Sequence, residues 1–213
     1  MPVSNSPLPT PRRTQAERRA ASRDALLESA ARGLSRYGYG NLVLARVAED
    51  AGYTRGAIYH QFADKEELAL AVLDWVDETW REEVGSRVEA EADPVAALIT
   101  LARGHAVICR RDIARVAIAL RLEFSAQEHP VGRRLEQVSA SLAERCSRLI
   151  RAGRRNGAIP PGPPAPLVAR AFIGAIEGAV IELAGAEPHD ELLAARAGAG
   201  ALGLDPAAIE GLA

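Results

Sequence analysis

Cysteine, lysine and long apolar segments are all scarce in this 213-residue chain. Its two cysteines, Cys109 and Cys146, are too few for a disulfide framework, and their spacing is not that of a zinc site. A reducing cytoplasm is therefore the expected compartment. No apolar run approaches the roughly 20 residues that cross a bilayer, and the first residues lack the apolar centre of a secretion signal. We expect no membrane partner, no metal and no other cofactor.

The basic residues are unevenly distributed along the chain. Residues 1–65 contain ten Lys and Arg against six Asp and Glu, whereas residues 66–213 contain sixteen against twenty-two. The net charge of −2 gives the whole chain no attraction for nucleic acid. A basic first part joined to an acidic remainder suits a polyanion that is contacted by the first part only, with chance asymmetry as the alternative.

Helical periodicity runs through the chain from Thr14 onward. Residues 1–13, rich in Pro and Ser, are predicted to form a disordered arm. Thr14 and Glu17 have the spacing of a capping box, in which each side chain binds the other residue's backbone N–H. No strand-like alternation interrupts the pattern before Trp80, and a proline-rich segment, 157–166, must break any later helix.

The predicted fold class is all-α. A three-helix unit with a helix-turn-helix, residues 14–62, precedes a larger helical unit, residues 63–213, and a helix over 63–80 connects the two. The later helices are predicted, in chain order, at Pro94–Arg110, Asp112–Gln127, Val131–Asn156, Pro166–Ala186 and His189–Gly200, with a last turn at Pro206–Leu212.

The segment Val43–Leu68 has the spacing of a helix-turn-helix. A short helix over Val43–Asp50 ends near Gly52, which lets the backbone turn sharply because it has no Cβ. Thr54 is a natural N-cap for a third helix over Thr54–Phe62. Such a helix would enter the major groove of DNA.

Ile58 and Phe62 stand one turn apart on this third helix and are expected to face inward. Gly56 then faces outward and allows the backbone to approach base edges, and Ala57 can contact a thymine methyl group. Each of these residues alone also has an ordinary structural explanation. Their combination at this spacing is what indicates DNA recognition.

Residues 14–80 resemble the DNA-binding domain of the TetR family, the tetracycline-repressor-like regulators. The matching positions are Ala51, Gly52, Tyr53, Thr54, Arg55, Gly56, Tyr59, Phe62, Lys65, Glu66, Glu67 and Leu68. The resemblance implies a homodimeric transcriptional regulator, most often a repressor that a small-molecule effector releases from a palindromic operator in double-stranded DNA. It also implies that bases are approached by Arg55, Gly56, Ala57 and His60, and that phosphates are held by Thr54, Tyr59, Gln61 and Lys65.

Two positions depart from the family pattern. Val43 stands where the family usually has a Ser or Thr that caps the second helix, so either Asn41 caps a shifted start or this end has no cap. Gln61 replaces the His that often precedes Phe62, and it can still donate a hydrogen bond to phosphate but carries no charge.

The resemblance also implies a dimer interface and an effector site in the C-terminal unit. Small residues on the helix after the proline-rich segment would let a partner helix approach closely, with packing inside one chain as the alternative. The interface residues predicted in this way are Ala171, Gly174, Ala175 and Gly178. The predicted effector-site residues are Trp75, Trp80, His105, Cys109, Arg121, Phe124, Phe172 and Glu177, of which Trp75 and Phe172 also suit an ordinary core.

Two further interpretations concern these polar residues. A buried Glu177 would need a partner, and Arg121 or His105 could serve. His105 and Cys109 share a helix face and could place two metal ligands, but the sequence offers no third. Two other functions stay open: a regulator without a small-molecule effector, responding to a protein partner or to its own level, and an all-α enzyme. No catalytic Ser/His/Asp set, phosphate loop or metal cluster supports an enzyme.

Overall fold

A computed structural model describes residues 14–111, 115–125, 128–183 and 185–209. Over these ranges the chain is helical without a β-strand, which confirms the predicted all-α class. The α-helices are α1 Gln15–Tyr37, α2 Leu44–Asp50, α3 Arg55–Tyr59, α4 Lys65–Trp80, α5 Ser86–Ala90, α6 Pro94–Cys109, α7 Val116–Glu123, α8 Pro130–Arg155, α9 Ala165–Leu183 and α10 His189–Ala201. A π-helical turn, Arg81–Gly85, joins α4 to α5, and a 3₁₀ turn, Pro206–Ile209, follows α10. The arm predicted for residues 1–13 lies outside the described residues.

Local capping fixes where the first long helices begin. The Glu17 N–H donates to Thr14 Oγ1 at 3.2 Å, and the Thr14 N–H donates to Glu17 Oε2 at 2.7 Å, so the predicted capping box is confirmed. At α4 the Glu67 N–H donates to Asp64 Oδ1 at 2.8 Å. The Glu67 carboxylate accepts from the Ala63 N–H at 2.7 Å, which is one residue before the cap.

Several helix boundaries differ from those predicted. The helix predicted over Asp112–Gln127 already ends at Glu123, and Phe124 and Ser125 form a turn. The third helix ends at Tyr59, and the chain continues to Phe62 as a turn. After α4 the helix does not stop but passes through the π turn into α5, a segment for which no helix is predicted. This turn packs closely against α6, because a Cβ on Gly104 would lie only 2.8 Å from Val84 Cγ1. The fifth long helix, α9, ends at Leu183 rather than at Ala186.

Two groups of buried apolar residues form the core of the molecule. The N-terminal core contains side chains of α1 to α4, and also Val116, Leu120 and Phe124 of α7 and Val131 and Leu135 of α8. The C-terminal core is built mainly by α6, α8, α9 and α10. Apolar packing therefore continues across the boundary predicted after residue 62, because α7 and the first part of α8 contribute to the N-terminal core and the later part of α8 contributes to the C-terminal core. Among the helices of the described ranges, none combines the length and the apolar character that a bilayer span requires.

Candidate nucleic-acid interface and internal cavity

The geometry of the helix-turn-helix follows from a few local contacts. Gly52, with φ at +77°, makes the turn after α2, and the Tyr53 N–H donates to the Ala48 carbonyl at 2.8 Å. The Thr54 hydroxyl caps α3 by accepting from the Ala57 N–H at 3.3 Å. Ile58 is fully buried beneath the helix, so the opposite side of α3 faces outward.

The outward side of α3 carries the residues that the sequence assigns to DNA contact. Thr54, Arg55, Gly56, Tyr59 and His60 are exposed. The Arg55 guanidinium lies 5.7 Å from the centre of the Tyr59 ring. A Cβ on Gly56 would have Thr54 Oγ1, at 3.9 Å, as its nearest neighbour outside the helix, so internal packing does not require a glycine there. Ala57 is partly exposed beside them.

Gln61 and Lys65 make contacts within the chain. Gln61 Nε2 donates to Ser22 Oγ of α1 at 3.0 Å. Lys65 Nζ donates to the Gly40 carbonyl at 3.2 Å and lies 4.5 Å from the centre of the Tyr39 ring. An amide NH₂ has two donors and an ammonium has three, so each side chain keeps a donor that these bonds do not use.

The start of α2 settles the question of its cap. Val43 occupies the N-cap position and makes no side-chain hydrogen bond to the helix. Asn41 Nδ2 instead donates to the Tyr37 carbonyl at the end of α1, at 3.0 Å, so Asn41 does not cap a shifted start. The last turn of α2 is held by α1, because the buried Ser29 hydroxyl of α1 donates to the Val47 carbonyl at 3.0 Å.

A cavity of about 230 Å³ lies between α4, α6, α7, α8 and α9. Its wall contains these residues: Leu73, Val76, Asp77, Trp80, Arg81, His105, Ala117, Ile118, Arg121, Arg134, Leu135, Gln137, Val138, Ser139, Ser141, Leu142, Arg145, Ile173 and Glu177. Of the residues predicted for an effector site, the structure brings together here Trp80, His105, Arg121 and Glu177.

The other predicted effector-site residues lie elsewhere. Phe172 and Cys109 are fully buried in the C-terminal core. Phe124 belongs to the N-terminal core, with ring centres 5.2 Å from Tyr39 and 4.7 Å from His129. Trp75 packs against the same core. At these four positions the predicted place in the cavity wall is wrong, because the side chains pack in or against the apolar cores.

Ion pairs cross the cavity wall. Arg121 of α7 and Glu177 of α9 form a two-bond pair, with Arg121 Nη1 3.1 Å from Glu177 Oε1, so Arg121 is the partner of the largely buried Glu177. Arg134 of α8 donates to Asp74 at 2.7 Å and to Asp77 at 3.1 Å, both on α4.

His105 is held by two neighbours. Trp80 Nε1 donates to His105 Nδ1 at 3.3 Å, which places the ring proton of a neutral His105 on Nε2. That nitrogen lies 3.8 Å from Cys109 Sγ. Burial lowers the pKa of His105 and raises the pKa of Cys109 to about 12, so both groups are neutral near pH 7. Among the described residues no three His, Cys, Asp or Glu side chains gather as a metal site would require.

One side of α9 is not covered by any of the residues that the structure describes. Ala171, Gly174 and Gly178 are exposed, and Ala175 is partly exposed. A Cβ on Gly174 or Gly178 would meet nothing within 4 Å. Two large apolar residues lie at the ends of this surface, Leu167 at 60% exposure and Ile181 at 54% exposure. We call the whole surface the α9 face, and its residues are Leu167, Ala171, Gly174, Ala175, Gly178 and Ile181.

Comparison with known proteins identifies the helix-turn-helix. Residues 26–72, from the middle of α1 into α4, match the family model for bacterial regulatory proteins of the tetR family. The helix-turn-helix part of the chain is therefore a DNA-binding domain of the TetR type. The HTH-type transcriptional regulator TtgR of Pseudomonas putida is 40% identical over 88 residues, 41% of each chain. The HTH-type transcriptional repressor AcnR of Corynebacterium efficiens is 45% identical over 51 residues, 24% of this chain and 27% of AcnR. The similarity thus reaches less than half the length of either relative.

Solved structures extend the likeness to the C-terminal helices. AibR, crystallised in complex with isovaleryl coenzyme A and operator DNA, has a TM-score of 0.67 and 22% identity, over 87% of this chain and 98% of that chain. A TetR transcriptional regulator from Chloroflexus aurantiacus has a TM-score of 0.72 and 21% identity, over 87% and 94%. At such identities the likeness shows that the TetR fold is shared.

In this structure, α7 connects the cavity to the helix-turn-helix. Ala117, Ile118 and Arg121 on one side of α7 line the cavity, whereas Val116, Leu120 and Phe124 on the other side belong to the N-terminal core. At its C-terminal end, the Glu123 carboxylate accepts hydrogen bonds from the backbone N–H groups of Tyr39, at 2.7 Å, and Gly40, at 2.8 Å. These two residues lie in the loop that leads from α1 into α2.

Sequence reasoning missed several of these polar residues. On α8, Arg134, Val138, Ser141 and Arg145 all line the cavity and stand four, three and four residues apart. That spacing puts the four residues on one face of the helix, so the sequence could have predicted that they lie together. For Glu123 the sequence carries no comparable signal, because its partners are backbone N–H groups some 80 residues away.

Proposed function

We propose that this chain is a DNA-binding transcriptional regulator, a repressor that leaves a palindromic operator when a small molecule fills the cavity. The observation that carries the proposal is the exposed side of α3. Gly56 leaves the backbone there without a side chain, and Arg55 and His60 offer hydrogen-bond donors. The short helix is held against the core by the buried Ile58. Such a surface fits the major groove, where base edges are read.

The contacts to DNA divide into two kinds in this proposal. Those to base edges come from Arg55, Gly56, Ala57 and His60, and those to phosphates from Thr54, Tyr59, Gln61 and Lys65. The phosphate contacts fix how α3 sits on the duplex but read no sequence. Gln61 and Lys65 reach phosphate through the donors that their bonds to Ser22 and Gly40 leave over.

A homodimer is part of the proposal. One α3 reads too few bases to find a single operator, and two copies about one helical turn of DNA apart, ~34 Å, multiply the selectivity. The α9 face supports this assembly because small residues allow a second helix to approach closely and because Leu167 and Ile181 are exposed in a single chain.

Release from DNA would begin in the cavity. A ligand that prefers the conformation with displaced α3 helices weakens DNA binding by the difference between its two affinities. α7 is suited to carry the change, because it lines the cavity through Arg121 and contacts the α1–α2 loop through Glu123. Nothing in this scheme calls for catalysis, so we propose a regulator and not an enzyme, acting where the chromosome is, in the cytoplasm.

Selection of bound sites from random double-stranded DNA tests the proposal. We expect a palindrome with half-sites one helical turn apart, bound with an affinity that falls steeply as salt rises. A matched protein with His60→Ala and Arg55→Ala should select no palindrome. Recovery of no preferred sequence by the unaltered protein would overturn the proposal.

Screening the selected complex against metabolites then separates the two kinds of regulator. Loss of DNA binding with a compound that also binds the isolated protein supports release by an effector. If a wide library leaves the complex intact, the regulator answers to a protein partner or to its own level.

A further inference from the structure

We propose that the cavity binds a small zwitterionic molecule. Its cationic group would lie at Glu177, its anionic group at Arg145 and its apolar body against Trp80. The inference rests on the proposed function only in treating the cavity as the effector site. It is drawn from the charged residues of the wall and from how deeply each member of an ion pair is buried.

The Arg121–Glu177 pair is unequally buried. The Glu177 side chain is 14% exposed, whereas that of Arg121 is 44% exposed. If a ligand separates the pair, Arg121 can turn into water at small cost, but Glu177 cannot be left without a counter-charge. A ligand group that replaces Arg121 must therefore be cationic.

The Arg145–Glu89 pair is unequal in the opposite sense. Arg145 is 23% exposed and Glu89 is 68% exposed, with Arg145 Nη1 2.8 Å from Glu89 Oε1. That Nη1 is buried and makes no hydrogen bond of good geometry within the described protein, although the carboxylate is near. Glu89 can move into water, and a ligand carboxylate could then bind the planar guanidinium with better alignment.

The ion pairs around Asp77 are expected to stay intact. Arg134 and Asp77 are 26% and 22% exposed, so neither gains more than the other from returning to water. Asp74, the second partner of Arg134, is 64% exposed, but if it moved into water Arg134 would still be paired with Asp77. Arg81 also lies 3.7 Å from the Asp77 carboxylate, which gives this carboxylate a second counter-charge. Among the ion pairs described for the wall, Glu177 and Arg145 are thus the largely buried charges whose exposed partners a ligand group can replace. One is negative and the other is positive.

Trp80 shares the cavity wall with both of these charges. A Cβ on Gly85 would be 3.6 Å from Trp80 Cζ3 and 3.7 Å from Arg145 Nη1, so the six-membered ring of the indole is beside Arg145. The opposite edge of the indole donates to His105, which lies within the electrostatic influence of Glu177. An apolar spacer lying along the indole would therefore have its ends near opposite charges, and neutral His105 does not repel a cationic end.

A matched set of four six-carbon probes tests the proposal: 6-aminohexanoate, hexylamine, hexanoate and 1-hexanol. We expect calorimetry on the full-length protein to show that 6-aminohexanoate binds at least about tenfold more tightly than either singly charged probe. Hexanol should bind most weakly. Equal affinities, tighter binding of a singly charged probe, or no binding at millimolar concentration would overturn the proposal.

Two variants separate the two charges. In Glu177→Gln we expect 6-aminohexanoate to bind no better than hexanoate, and in Arg145→Gln no better than hexylamine. The singly charged probes should also reverse their order between the two variants, which a general loss of stability cannot produce. Glu182→Gln on α9 and Arg148→Gln on α8 are exposed controls outside the cavity wall and should leave all affinities unchanged.

The binding assay contains no DNA, so the two proposals can fail separately. If 6-aminohexanoate binds in the expected order but the selected DNA complex is unaffected by it, the ligand class stands and release by cavity occupancy fails. If DNA binding is specific but the four probes bind with equal affinity, the proposed regulator is supported and the proposed ligand class is wrong.

Discussion

The Glu123 carboxylate accepts a hydrogen bond of 2.7 Å from the backbone N–H of Tyr39, which lies 84 residues earlier in the chain. A second bond, of 2.8 Å, comes from the next N–H, that of Gly40. The loop fits closely around this carboxylate, because a Cβ on Gly38 would lie 2.8 Å from Glu123 Oε2. Gly38 has φ at +74°, which also favours glycine. One side chain of α7 thereby fixes the loop that leads into the helix-turn-helix.

Glu123→Gln should destabilise the protein and weaken operator binding. The amide keeps one acceptor oxygen and replaces the other with a donor, so one of the two N–H groups loses its partner. We expect the free energy of unfolding to fall by about 1–2 kcal/mol, measured by urea denaturation, together with reduced affinity for the selected operator. Glu128→Gln is an exposed control nearby and should change neither. Unaltered stability and affinity would show that the contact does not hold the loop.

Tyr59→Phe and His60→Ala should have different consequences. Loss of the Tyr59 hydroxyl removes a phosphate contact, so binding to all operator variants should weaken by a similar factor of about five. Loss of the His60 imidazole removes a base contact, so preference at one base pair should relax by about tenfold or more. Affinities for a panel of single-base operator variants measure both effects. A uniform loss in both proteins would contradict the division between phosphate and base contacts.

Lys65→Ala should reduce the salt dependence of operator binding. The ammonium spends one donor on the Gly40 carbonyl and offers another to phosphate. Removing one phosphate contact lowers the slope of log affinity against log salt by about one. Titrations at several salt concentrations give the slope, with Arg148→Gln on the C-terminal unit as a control. A slope equal to that of the unaltered protein would mean that Lys65 only holds the loop.

Gly178→Glu should break the proposed dimer without unfolding the chain. The new Cβ would meet nothing within 4 Å in one chain, and glutamate favours a helix more than glycine does. On a close helix-helix contact, however, the charge and bulk cannot be accommodated. Sedimentation should show a monomer with an unchanged helical circular dichroism spectrum. The same change at Gly200, an exposed α10 position with equally open space, should leave the dimer intact.

Neither cysteine should react with thiol reagents in the native protein. Cys109 and Cys146 are buried, and burial raises the pKa of each to about 12. The thiolate, which is the reactive form, is therefore negligible at about pH 8 in the folded state but present once unfolding returns the pKa to an ordinary value. A colorimetric thiol assay with and without denaturant should find two reactive groups only in denaturant. Rapid reaction of either cysteine in the native protein would contradict this prediction.

The helix-turn-helix was predictable from the sequence because its determinants are local. A capping box at Thr14, a turn at Gly52 and a cap at Thr54 each act within a few residues, and each has the predicted partner or conformation in the structure. The inward position of Ile58 follows from helical periodicity alone. The end of α3 was the exception, because the chain leaves the helix at Tyr59 while Phe62 still reaches the core.

Tertiary structure alone decided the rest, since those features depend on residues far apart in the chain. Polar residues on the C-terminal helices were visible in the sequence, yet only the crossing of five helices shows that Arg121 and Glu177 meet while Phe172 is packed away. The close approach of Val84, in the π turn after Trp80, to Gly104 joins residues 20 positions apart in the chain. The bond between Glu123 and Tyr39 joins a side chain to a backbone N–H, and backbone groups are the same at every position but proline, so no residue type marks the partner.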